Sequence, residues 1–158
     1  YSHGVMRMSL QKFESLRVES LMELVEKTAR EVPNDKLEWK PDPQGKSSKE
    51  ILEHLTGANH AFAALIRGQE LPSGDRQSFS IEPDQMDDAF ATLHRSGLHL
   101  SEAIAEVTDP QLNESKAMPW GETWKMSRLI SAPSTHIAYH WGQLAYLQTL
   151  WGDQKDHY

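Results

Sequence analysis

The sequence predicts an all-α protein, a four-helix bundle with an irregular segment or short hairpin ahead of its last helix. Three observations carry that expectation. Four stretches repeat apolar side chains at three- and four-residue spacing, Pro, Gly and Ser collect between them, and a chain of 158 residues has material for one sizeable core rather than two. One domain over residues 1–158 is therefore expected.

The first helix is predicted over residues 9–32, where Leu10, Phe13, Leu16, Leu21, Leu24 and Val25 form a stripe between charged residues, and Pro33-Asn34 ends it. After the loop WKPDPQGKSS, Ser47 and Glu50 stand at the spacing of a capping box, in which each side chain satisfies an otherwise orphaned amide at a helix start. That places a second helix over Ser48 to Arg67, stopped by Gly68. GQELPSGDRQSFSIEP reads as loop. A third helix follows from Asp84 to Val107 on the stripe Met86, Phe90, Leu93, Leu100, Ile104 and Val107, with Gly97 as its weak point. Asp109-Pro110 stops it, and a hairpin is expected around Pro119 and Gly121. The fourth helix runs from after Thr123 to before Gly152, kinked or restarted at Pro133 by the loss of one amide donor.

Sixteen Lys and Arg stand against 23 Asp and Glu, a formal charge of −7, and no basic run is present. Phosphate backbones demand a cationic surface, so no nucleic-acid partner is expected. The absence of cysteine removes disulfides, thiolate ligands and a cysteine nucleophile together; any metal must rest on histidine and carboxylate. No apolar run approaches the ~18 residues of a membrane span, and the N-terminal residues lack a signal-peptide core, so no membrane partner and a cytoplasmic location are expected.

The chemistry is carried by histidine. From His136, positions 140, 144, 147 and 151 share a helix face and read His, Leu, Leu, Trp, which turns His136 and His140 inward. On the second helix the stripe is Ile51, Leu55, Ala58, Phe62 and Leu65, and His54 lies beside it, facing inward. His60 is about 240° further round and points elsewhere. His94 and His99 adjoin the third stripe and are read as surface groups; His3 and His157 lie at the termini. Three separate inward imidazoles would each need partners for both ring nitrogens: either each is an ordinary core histidine satisfied by its neighbours, or one shared ion resolves the cost. Three histidines also leave a coordination position for water or substrate.

The segments LEWKPDPQGKSSKEILEHL and HIAYHWGQL, in that order and separation, resemble the DinB-like superfamily, including its YfiT-type members: a Trp-x-Pro loop leading to a histidine on the second helix, then an HxxxHxGQ signature. The resemblance spans nearly the whole chain. It implies a four-helix bundle whose metal ligands fall on His54, His136 and His140, the three already selected by their facing. Gly142 and Gln143 match the signature as well; the plain reading is a small residue for close helix packing and an amide for a neighbouring backbone group. Trp39 and Pro41 are expected to pack the loop over the core. Trp120, Trp124, Tyr139 and Trp141 supply either a pocket rim or core and dimer contacts, and Asn59 and Glu53 either orient an imidazole or face solvent.

The resemblance implies one divalent transition ion, zinc or nickel foremost, and a metal-dependent transferase joining a low-molecular-weight thiol to an electrophilic small-molecule substrate. A metal-dependent hydrolase is the near alternative, although no general base declares itself in the sequence. The alternative of a different class is a non-catalytic bundle whose metal braces two helices. A homodimer is expected.

Overall fold

The computed structural model describes residues 7–71 and 80–157. His3 and most of the loop between the second and third helices lie outside those residues. Four helices dominate: α1 (Leu10–Arg30), α2 (Ser48–Arg67), α3 (Met86–Ala105) and α4 (Met126–Leu150), with a two-stranded sheet of β1 (Ser115–Ala117) and β2 (Thr123–Lys125) immediately before α4. α1 packs on α3 and α4, and α2 packs on the same two, so α1 and α2 lie across one diagonal of the bundle and α3 and α4 across the other. Diagonal crossings need long connections. Residues 31–47 make the first and residues 106–125, which contain the sheet, make the second.

The helix starts follow the local chemistry. Ser9 accepts from Lys12 N to cap α1, and at α2 the Ser47 hydroxyl accepts from Glu50 N while the Glu50 carboxylate accepts from Ser47 N. Gly68 ends α2 with φ +66°, a left-handed conformation that glycine adopts without a Cβ penalty. The strands pair antiparallel, with Lys116 opposite Trp124, and their turn is closed by Met118 N donating to Glu122 O. Gly121 at φ +94° makes that turn possible.

Several expectations change. α3 begins later than Asp84, because Pro83–Gln85 form a separate 3-10 turn ahead of it. α4 is continuous through Pro133 and does not restart there. The stripe expected on α1 is turned: Val18, Met22, Val25 and Ala29 are buried with Gln11, Glu14 and Ser15, while Leu10, Phe13 and Leu16 are exposed. Polar partners hold the buried side of that end in place. Ser134 donates to Glu14 (2.9 Å) and Gln11 to Asp109 (2.7 Å). Gly97 is a contact point, since a Cβ there would stand 2.9 Å from Met22 Cγ. Trp39 packs edge-on against Trp151 and over the core, whereas Pro41 is exposed.

Candidate metal centre

α2 and α4 bring three imidazoles together at one edge of their contact. His54 Nε2 lies 3.0 Å from His136 Nε2, and His140 Nε2 lies 3.2 Å from the same atom. One ligand atom from each ring falls within 4.8 Å of the other two, an arrangement that could hold a metal ion, and no Asp or Glu joins the group among the described residues. The spacing fits such an ion: a tetrahedral centre ~2.0–2.1 Å from each nitrogen sets its ligands about 3.3 Å apart.

The histidines are graded in burial. His140 is buried, His136 half-buried, and His54 the least enclosed. The expectation that all three turn inward therefore needs correction for His54. The buried face of α2 runs through Leu52, Leu55, Thr56, Asn59 and Ala63, and His54 sits at its margin. The site is open on the His54 side and walled on the His140 side.

Tautomer and charge follow from the surroundings. His140 Nδ1 donates to Gln143 Oε1 at 2.7 Å; an amide oxygen only accepts, so the proton sits on Nδ1 and Nε2 presents a lone pair to the other rings. Burial, then His140 and His54, push His136 down to about 4. His140 is also lowered, chiefly by burial, with Gln143 acting in the opposite sense and Lys46 adding to the decrease. Both rings stay neutral at pH 7, the form a metal requires. His136 Nδ1 is buried and has no hydrogen-bond partner among the described residues. Of the two buried rings, only that of His140 is therefore fixed by a protein acceptor.

The remaining histidines divide differently from the sequence reading. His94 is exposed and pairs with Glu26 at 2.8 Å, as a surface group should. His99 is half-buried instead, its Nδ1 3.1 Å from His60 Nδ1, in a cross-helix pair that burial and His99 together bias against protonation at His60. His157 lies 2.7 Å from Asp153. Asn59 and Glu53 are not solvent groups. Asn59 is 1% exposed and donates to Ser96 Oγ, and Glu53 accepts from Ile81 N, tying the start of the segment before α3 to α2. Gly142 is exposed with open space around it, so it serves no close packing within the chain. Gln143 binds an imidazole rather than a backbone group.

A cavity of about 570 Å³ opens beside His136. Phe62, Trp124 and Tyr139 give it aromatic walls, and Arg128, Ser131 and Thr135 line it along α4. Trp141 turns away and donates to Thr28 Oγ1 on α1, and Trp120 stacks edge-on against Trp124 outside the lining. Sequence reasoning singled out Trp124 and Tyr139 but missed Arg128, Ser131 and Thr135. Their signal was present as spacing, since 128, 131, 135 and 139 follow one face of α4.

A family model of the DinB superfamily matches residues 17–144. Among solved structures, a DinB-like protein from Bacillus subtilis superposes with a TM-score of 0.74 at 16% identity, covering 92% of this chain and 96% of that one. No curated protein matches the chain.

Proposed function

The chain belongs to the DinB superfamily, and from that premise we propose that His54, His136 and His140 hold one divalent transition ion, zinc or nickel, in a transferase that joins a low-molecular-weight thiol to an electrophile. The observation that supports this reading is the convergence of three imidazole Nε2 atoms, one of them, that of His136, on a ring that lines a cavity large enough for a small molecule. When bound, the ion would supply positive charge that lowers a thiol's pKa, so that the thiolate forms at neutral pH. An all-imidazole donor set leaves that charge undiminished. The thiol proton leaves to solvent, the sulfur forms a bond to the electrophilic carbon, and the leaving group departs with its electron pair.

The residues around the centre divide the work. Gln143 orients His140, Phe62, Trp124 and Tyr139 offer an aromatic surface for the body of a ligand, and the open His54 side admits it. Among the described residues the lining contains no carboxylate to act as general base on water, which favours thiol transfer over the hydrolase alternative. A reducing cytoplasm, where small thiols remain reduced, is the compartment this reading implies. A homodimer fits the exposed apolar residues of α1 and α4.

Elemental analysis of protein purified without chelator is expected to give close to one transition metal per chain, and none in His140→Ala. Full occupancy in that variant would sink the three-histidine centre. Thiol conjugation to a generic electrophile should then require metal; equal rates for metal-loaded and metal-free protein would favour a metal that only braces the helices.

A further inference from the structure

The cavity beside the metal centre has a polarity that a generic hydrophobic pocket lacks. At one end stands His136; at the other, two turns earlier on α4, stands Arg128, and eight residues of helix separate them by about 12 Å. Phe62, Trp124 and Tyr139 supply the cavity's aromatic walls, with Tyr139 one turn beyond His136 on α4. Arg128 is held over the Trp124 ring, its guanidinium carbon 4.0 Å from the ring centroid. Trp124 is itself held, because its indole N–H donates to Glu122 Oε2 at 2.5 Å, and Trp120 donates to the same oxygen. Glu122 is thus engaged by the indoles and reaches Arg128 only at 3.9 Å. The guanidinium is stacked by one face and exposed to solvent, and Glu122, at the outer limit of an ion pair, is a carboxylate that a ligand would displace or share.

In a chain of net charge −7, Arg128 sets a positive charge at the margin of the cavity. Such a local field draws an anionic ligand against the overall charge of the protein.

We propose that Arg128 is a specificity-determining residue that selects a carboxylate-terminated ligand: an elongated molecule with a planar carboxylate on the guanidinium, an apolar or aromatic body against Phe62, Trp124 and Tyr139, and its reacting end beside His136. This rests on the reading of the three histidines as the reacting centre and adds to it the class of the substrate. A guanidinium takes a planar carboxylate through two parallel hydrogen bonds, and stacking on the indole fixes its plane in advance.

The test uses the full chain loaded with Co(II), titrated with 4-(mercaptomethyl)benzoate and with its neutral counterpart 4-methylbenzyl mercaptan. Calorimetry reads occupancy of the cavity, and the sulfur-to-cobalt absorption band reads where the sulfur sits. The carboxylate is expected to bind roughly 10-fold more tightly than the neutral thiol, about 1.4 kcal/mol, and Arg128→Gln should abolish that difference while keeping one Co(II) per chain. Arg128→Lys, which keeps the charge and loses the fork, should restore part of it. Equal affinities in the wild type, a preference that survives in Arg128→Gln, or no binding of either probe would overturn the assignment. Carboxylate-selective, Arg128-dependent binding without the sulfur-to-cobalt band would leave the anchor standing and remove the thiol reading alone.

Discussion

At the scale of single residues, the centre depends on which nitrogen of each imidazole carries a proton. His140 is settled by one bond to Gln143 Oε1. Replacing Gln143 by Leu keeps the bulk of a half-buried side chain and removes the acceptor. Metal affinity is expected to fall about 10- to 100-fold, the usual effect of losing a partner that orients a ligating histidine, with little change in the melting temperature of the metal-free protein. Unchanged affinity in a metal titration would show that the ring is fixed by packing alone. The depressed pKa values make a second prediction. Between about pH 6.5, where an unfolded imidazole takes up its proton, and about 4, where folded His136 does, the unfolded chain binds more protons than the native one. Stability therefore rises with pH across that window and is lost as the pH falls. Metal-free protein should unfold at lower denaturant at pH 5 than at pH 7, by about 2 kcal/mol from His136, and His136→Gln should flatten the difference. The cluster of His136 and His140 was legible in the sequence because helical spacing sets them on one face, whereas His54 joins them from the margin of α2 rather than from its buried face. Asn59 was not legible, since its burial depends on Ser96 and Met22 from two other helices.

At the scale of elements, periodicity found each helix, and capping chemistry fixed the starts of α1 and α2. It failed where the buried face is polar. α1 turns Gln11, Glu14 and Ser15 inward because Asp109 and Ser134 wait there as partners, and no one-dimensional pattern contains them. Gly97 was read as a defect in α3 for the same reason. In isolation Gly→Ala stabilises a helix by about 1 kcal/mol. Here the added methyl would meet Met22 Cγ at 2.9 Å and Cβ at 3.3 Å, the stiff root of that side chain rather than its free end. Overpacking of this kind costs roughly 1–3 kcal/mol, so Gly97→Ala is expected to lower the melting temperature despite its better propensity. Met22→Ala in the same chain should recover part of the Gly97→Ala loss. A Gly97→Ala protein as stable as the wild type would show that the seam between α1 and α3 yields.

At the scale of the whole molecule, the diagonal arrangement sets α2 against α4, and that contact creates both the three-histidine cluster and the cavity beside it. It also leaves one side of α4 uncovered. Tyr139 and Tyr146 are each 64% exposed, Leu150 is exposed beyond them, and Gly142 lies between the tyrosines with nothing within 4 Å of where its Cβ would be. The steps of three and four residues from 139 to 142, 146 and 150 are those of a helix seam, and a glycine within it lets a second backbone approach. The homodimer proposed above would seat a second copy of the chain on this face. Tyr139 belongs both to the seam and to the cavity wall and stacks edge-on against His140, so a dimer seated there would cover the cavity's Tyr139 wall. Light scattering on the eluting protein should give twice the 18.0 kDa chain mass. Gly142→Arg meets open space within its own chain and should leave helix content and metal stoichiometry intact while halving the mass. A wild type that elutes at the mass of one chain, or a Gly142→Arg variant that remains dimeric, would place any partner elsewhere, with Leu10, Phe13 and Leu16 of α1 as the other exposed apolar surface.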